Sequence, residues 1–257
     1  MQNNIFNSKI LSDKPFKEDT YAIVHTKSSL NLNAFEKKLV DTNWQKFVEK
    51  AQSKGFQPWD GTYYRMENIQ DITSGSRKLE LSTIKFSQVI GLQDNTHLFQ
   101  KPTRLLANNI ETGSLILTTD GYFIFGVRNS NSTSICKIDL IGGGLQENEI
   151  IVNNFSDFFK NEIKEIREET GLRNNDITNI QGIGIVQSCY SNVLFIFLTK
   201  LNKSKSRVKE IFHDREDDEM VELEFVEGKL LKQYLMDKKD YRPLTAELYF
   251  KNIKKVQ

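Results

Sequence analysis

Apolar residues recur at three- and four-residue steps from Asn31 to Lys54, where Phe35, Leu39, Val40, Phe47, Val48 and Ala51 alternate with Lys and Glu. That spacing predicts an amphipathic helix with Asn43 as its weak point and Gly55 as its stop. Upstream, Tyr21–His25 has the composition of a short strand. Downstream of the turn-forming Pro58-Trp59-Asp60-Gly61, the period changes to two. Thr62–Ile69 and Lys78–Phe86 alternate on either side of Thr73-Ser74-Gly75-Ser76, which predicts a hairpin. Residues 87–109 lose this regularity, so a domain boundary or crossing is expected near Asn108-Asn109.

Beyond that point, Gly113–Thr119 and Tyr122–Arg128 form two strand-like runs around Asp120-Gly121, a strong two-residue hairpin signal. A short strand over Ile135–Leu140 leads into the glycine turn Ile141-Gly142-Gly143-Gly144. A helix capped by Asn154 or Ser156 and stopped at Gly171 follows. Strands are then expected over Ile180–Val186, Val193–Leu198 and Val221–Val226. A terminal helix places Leu230, Leu231, Tyr234 and Leu235 on one face. No internal repeat of solenoid length is present.

The helix ending at Gly171 changes the reading from fold to chemistry. At about one hundred degrees per residue, Phe159, Ile163 and Ile166 share one side, while Glu162, Glu165, Glu168 and Glu169 share another. A charged helix face is ordinarily just solvated. Like charges three and four residues apart nevertheless repel by a few tenths of a kcal/mol per pair, roughly, so the cluster is better explained by a cation. Hard divalent ions take carboxylate oxygens while retaining water.

Bulk composition narrows the alternatives. The 257 residues are 38% hydrophobic, enough to bury one large core or two smaller ones. Lys and Arg total 35 against 34 for Asp and Glu, so the net charge of +1 offers no broad attraction to nucleic acid or anionic lipid. Neither Cys136 nor Cys189 lies in a metal-binding or paired motif, and both read as reduced thiols. His25, His97 and His213 are dispersed and read as structural or surface residues. Residues 1–6 lack a signal-peptide pattern and no apolar run has membrane-spanning length, so a cytoplasmic protein is expected, with no nucleic-acid or membrane partner.

The segment Lys164-Glu165-Ile166-Arg167-Glu168-Glu169-Thr170-Gly171-Leu172 resembles the second half of the Nudix box, REUxEExGU with U apolar, and matches six of its seven specified positions. Gly143 and Glu149 fit the upstream glycine, five residues and glutamate of the same box. Lys164 stands where the family has Arg, which keeps the charge and loses the bidentate fork. Fourteen residues rather than seven separate Glu149 from Lys164, so Asp157 and Glu162 compete with Glu149 for the role of the upstream glutamate.

The resemblance implies an α+β fold: a Nudix α/β/α sandwich with a mixed sheet over 109–257, preceded by a smaller β-rich domain with one helix over 1–108. It implies metal-assisted cleavage of a phosphoanhydride, with Glu165, Glu168, Glu169 and Lys164 catalytic. Mg2+, or Mn2+, would be held by Glu165, Glu168, Glu169 and Glu219, with Glu222 an alternative to Glu219. Arg128, Gly142 and Gly143 are assigned to substrate binding, with Lys137 a weaker basic candidate. Asp60–Met66, Leu79–Phe86, Leu106–Asn109 and Leu244–Tyr249 are similar to the extended subfamily that hydrolyses UDP-glucose and UDP-galactose. That similarity implies a small-molecule UDP-sugar cut to UMP and a hexose 1-phosphate. ADP-ribose, another nucleotide, or a non-catalytic nucleotide sensor are the alternatives. Trp59, Tyr63 and Tyr64 are candidates to stack a base, although core packing is the usual fate of such residues.

Overall fold

Residues 9–71, 77–93, 105–129, 138–188 and 190–237 are described by the structure, a computed structural model. Cys136, Cys189, Lys137, His97 and Leu244–Tyr249 lie outside the described residues.

The larger sheet is mixed. It contains β1 (Lys9–Ser12), β8 (Ile177–Gln187), β9 (Val193–Leu201), β5 (Ile110–Leu117), β6 (Tyr122–Arg128) and β10 (Met220–Glu227) in that spatial order, and β7 (Ile138–Asp139) adds to β6. The β5–β9 pair is parallel and the others are antiparallel. Central strand β9 reads Val-Leu-Phe-Ile-Phe-Leu and is buried throughout that run, as a strand covered on both faces must be. Alternation along the strands sends neighbouring residues to opposite cores. Leu115, Phe123 and Phe125 join Leu231 and Leu235 of α5 (Leu231–Asp237). Ile116 and Ile124 instead join Ile166 of α3 (Ser156–Thr170), with Val208 of α4 (Lys205–Ile211). Helices on both faces of a mixed sheet give the sandwich and the α+β class expected from the sequence.

The smaller sheet has the order β2 (Tyr21–His25), β4 (Arg77–Lys85), β3 (Thr62–Asp71). Its β3–β4 pair is the expected antiparallel hairpin, and β2 pairs with β4 in parallel. Tyr21, Tyr64, Met66, Leu79 and Leu81 share a core with Phe155, Phe158, Phe159, Phe195 and Phe197. Phe16 sits at its centre, 5.3–6.1 Å from the rings of Phe155, Phe159, Phe195 and Phe197 in edge-on geometry. Tyr64 is therefore a core residue, and its hydroxyl accepts the Val152 N–H at 3.0 Å.

Several expectations change on folding. Helix α1 (Ala34–Gln52) runs unbroken through Asn43, whose side-chain amide donates to the Gly91 carbonyl instead of to its own backbone. Its stripe is buried at Val40 and Ala51, whereas Phe35 and Leu39 are exposed. Phe86 belongs not to β4 but to the short α2 (Phe86–Leu92). The turn between β5 and β6 is three residues, Thr119–Gly121, because Thr118 pairs with Tyr122 and Gly121 takes a left-handed φ of 82°. At the start of α3, Ser156 lies inside the helix, Phe155 is the cap position, and the Asn154 side chain accepts the Ser156 N–H. Leu230 is exposed, so the terminal helix turns Leu231 and Leu235 inward without it.

Candidate active site

Ile141–Leu145 lies along β5 like an added edge. Ser114 N–H donates to Ile141 O, Thr112 N–H to Gly143 O, and Leu145 N–H to Ile110 O, at 2.8–2.9 Å. On the α3 face of this strip no side chain intervenes between backbone and helix. Gly142, at φ 148°, donates its N–H to Glu169 Oε2 at 2.9 Å. A Cβ on Gly143 would stand 2.4 Å from Glu165 Oε2, so only glycine lets this carboxylate rest on the backbone.

The acidic side of α3 is buried along with its apolar side, where Phe159 and Ile166 enter the cores. Glu162 and Glu169 are wholly shielded and Glu165 nearly so, while Ile163, assigned to the apolar face, is half-buried. The burial of the acidic side has a physical basis in what faces it: the Gly142 amide, the glycine strip, and the hydroxyls of Thr112 and Ser114 on β5. Burial raises the Glu165 carboxyl to about 7, with Lys164 pulling the other way. Burial also pushes Glu169 well above the usual carboxylate range, against the stabilising Arg128 charge and the Gly142 N–H, with Glu219 and Glu165 adding repulsion. Glu169 Oε1 has no hydrogen-bond partner.

Lys164 is the local counter-charge. Its ammonium lies 2.7 Å from Glu149 Oε2, 3.0 Å from Glu165 Oε1 and 3.1 Å from Glu168 Oε2. Burial works against its charge, and these three carboxylates outweigh that and hold its pKa above the lysine range. The seven extra residues between Glu149 and Lys164 therefore do not remove Glu149 from the helix. The chain from Ile150 to Phe155 bulges so that Val152 and Phe155 enter the aromatic core, then returns. Asp157 does something else: it accepts the N–H groups of Asn153 and Asn154 and pairs with Lys160. Glu162 is buried beside the Thr112 and Ser114 hydroxyls of β5, and burial raises it to about 8 despite them.

Arg128 Nη1 is 2.6 Å from Glu219 Oε1, and its Nε is 3.3 Å from Asp139 Oδ2. The end of β6 thus brings Arg128 and Glu219 together beside Glu169, whereas Glu222 is exposed on β10. The acidic loop before β10 has a structural task too: the N–H groups of Glu216 and Asp217 donate to the Glu168 carbonyl, capping the end of α3. His25 Nε2 lies 2.7 Å from the Val152 carbonyl, and His213 is on the surface.

Whether these residues suit a divalent ion can be judged from the donors. Glu169 offers an unpartnered, buried carboxylate oxygen, and Glu165 adds a second shielded carboxylate beside it. Among the described residues no three acidic, histidine or cysteine side chains already converge on one point, because Lys164 and Arg128 hold Glu149, Glu168 and Glu219 as ion pairs. An ion that keeps much of its water and takes one or two carboxylates fits such an open set. Tyr63, one of the base-stacking candidates, reaches the rim of the site from β3, and Glu111 of β5, which the sequence did not single out, joins it there. Burial first, then Glu111, Glu149, Glu219 and Glu165, hold the Tyr63 phenol above its usual pKa. The one local signal was a carboxylate, Glu111, at the head of an otherwise uncharged strand.

No family model and no curated protein matches the chain. Among solved structures, the chain is similar to the MutT protein from Methanosarcina mazei, at 15% identity over 58% of this chain and 95% of that one, with a TM-score of 0.38. A NUDIX-family hydrolase from Clostridium perfringens matches at 12% identity over 59% and 100%, with a TM-score of 0.38. The NUDIX domain of Shewanella oneidensis NrtR, complexed with ADP ribose, matches at 10% identity over 53% and 84%, with a TM-score of 0.37. Among the described residues no helix is long and apolar enough to cross a membrane.

Proposed function

We propose that the chain is a Nudix-type hydrolase that cleaves the phosphoanhydride of a nucleotide sugar, a UDP-hexose in particular, to UMP and a hexose 1-phosphate. The observation that carries this reading is the placement of Glu165 and Glu169, shielded from water, directly on the glycine strip, with Glu149 and Glu168 joined to them through Lys164. Burying several carboxylates is costly unless a cation is expected there. Glu165, Glu168, Glu169 and Glu219 would hold Mg2+ or Mn2+. Such an ion, when bound, neutralises phosphoryl oxygens and makes a bound water more acidic.

The chain's own residues do the rest. Glu165, resting on the Gly143 backbone, is placed either to add a ligand or to orient the attacking water. Lys164 keeps Glu149, Glu165 and Glu168 from repelling one another. Arg128 meets the diphosphate once it exchanges Glu219 for a phosphate oxygen. Gly142 and Gly143, which carry no side chains, let Glu169 and Glu165 rest on the backbone where the diphosphate would meet them. The segments Asp60–Met66 and Leu79–Phe86, which suggest the UDP-sugar subfamily, contribute Thr62–Met66 and Leu79–Lys85 to the small-sheet hairpin, and Tyr63 from that hairpin packs over Gly144.

Incubation with Mg2+ and a panel of UDP-sugars, ADP-ribose, dinucleoside polyphosphates and nucleoside triphosphates tests the substrate. Release of UMP from UDP-sugars alone is the expected outcome. Preferential turnover of ADP-ribose or a triphosphate overturns the UDP-sugar reading. Binding without turnover of any of them makes the chain a sensor.

A further inference from the structure

The glycine strip has a second face. Glu111 and Gly144 are directly opposed bridge partners, so their Cβ directions share one side of the sheet. Thr112, one residue on, turns to the other side, where its hydroxyl accepts from Asn161 of α3. The carboxylates of α3 therefore lie on one face of the strip, and Glu111 lies on the other.

On that second face the polar groups are organised. The Asn192 side-chain amide donates to Glu111 Oε1, and Gln93 Nε2 donates to Asn192 Oδ1 at 3.2 Å. Asn109 Nδ2 stands 3.5 Å from the same Glu111 oxygen. Asn109 is only 4% exposed and its Oδ1 has no hydrogen-bond partner. The Tyr63 ring fills the space where a Gly144 side chain would sit, with Cε1 2.3 Å from an ideal Cβ. The ring thus lies on the face that Gly144 shares with Glu111.

An apolar pair at the head of β5 would be cheaper to bury than this cluster. What the cluster supplies is hydrogen-bonding variety. The carboxylate is an acceptor, the carboxamides donate and accept, and the phenol does both. Vicinal hydroxyls of a sugar need that mixture. A nucleobase would also need a flat face to stack on, yet the Tyr63 ring is packed against Phe86 at 5.6 Å and over Gly144, so it offers its hydroxyl rather than its face.

We propose that Glu111, Asn192 and the Tyr63 hydroxyl form a hydroxyl-reading subsite that holds the glycosyl group of the substrate while its diphosphate reaches toward the carboxylates of α3. This rests on the nucleotide-sugar reading above and adds the residues that recognise the sugar.

The test compares UDP-glucose with the P2-cyclohexyl ester of UDP, which has a six-membered ring and no hydroxyls on the leaving group, in wild type, Glu111→Gln and Asn192→Ala. In wild type, kcat/KM favours UDP-glucose. In either variant that preference falls by about tenfold or more, chiefly through KM, as expected when a charged or paired hydrogen-bond group is lost. A preference that stays unchanged, or an equal loss on both compounds, overturns the subsite and leaves the hydrolase reading intact. Should wild type hydrolyse neither compound, the hydrolase reading fails, and calorimetric binding of the same two compounds decides the subsite. Preference for UDP-glucose that Glu111→Gln abolishes supports it, and equal affinities overturn it. Tyr63→Phe, which removes one oxygen from a packed ring, gives the same readout if Glu111→Gln does not fold.

Discussion

Replacing Glu162 with glutamine changes one atom at the most deeply buried carboxylate of α3 and should flatten the pH dependence of stability. Glu162 is 0% exposed and faces the hydroxyls of Thr112 and Ser114. Burial raises its pKa from 4.5 to about 8, with the Thr112 and Ser114 hydroxyls opposing and Glu165 adding to the rise. For an acid whose pKa is higher folded than unfolded, the unfolded chain releases its proton first. The stability associated with the protonated form is complete below about 4.5 and is lost as the pH climbs through about 8. Between pH 6 and pH 9 that loss amounts to roughly two pKa units, or on the order of 3 kcal/mol. Glutamine has the shape of the protonated acid and does not titrate. Urea denaturation in EDTA should therefore show Glu162→Gln already the more stable protein at pH 6, with its advantage over wild type widening by about that amount between pH 6 and pH 9. Parallel stability curves would show that Glu162 is ionised and satisfied in the folded chain, and would refute the reasoning.

Three further substitutions probe the surroundings. Gly143→Ala puts a methyl group 2.4 Å from Glu165 Oε2, so the carboxylate must move, and kcat should fall by roughly a hundredfold, as for an ångström-scale misplacement, in steady-state kinetics. Lys164→Met strands Glu149, Glu165 and Glu168 without their shared cation, and kcat/KM should drop by about ten- to a hundredfold, while Lys164→Arg recovers most of it. Phe16→Ala empties the middle of the aromatic core and should cost about 3–5 kcal/mol in urea denaturation at pH 7.

Much of the fold was legible because its principal elements repeat a period several times. The alternation in Tyr122–Arg128, the apolar run of β9 and the β3–β4 hairpin all carry their own evidence. Helices α2 and α4 were not seen, since seven residues make two turns and leave no repeat to recognise. Strand β1 is four residues long and depends on β8 for its conformation, so tertiary pairing rather than local preference decides it.

At the site, residue types and spacing pointed to the carboxylates, but a helical projection cannot say which side faces the sheet. Charged faces ordinarily turn outward, and here hydroxyls and bare backbone across from α3 reverse that. The insertion made Glu149 ambiguous by counting alone. Its contact with Lys164 depends on Val152 and Phe155 finding the aromatic core, a long-range event. Tyr63 and Glu111 meet for the same reason, through pairing of Tyr63 with Gln146 and of Glu111 with Gly144.

The most direct measurement is turnover of UDP-glucose with saturating Mg2+ by wild type and by Glu169→Gln. Glu169 is buried with Oε2 held by the Gly142 N–H and Oε1 left without a hydrogen-bond partner, which makes it the donor best placed to meet a cation. Wild type should release UMP and glucose 1-phosphate, and Glu169→Gln, folded to the same degree by circular dichroism, should be slower by roughly a thousandfold, the scale of several kcal/mol of transition-state stabilisation. Equal rates in the two proteins would contradict metal-assisted cleavage at this helix.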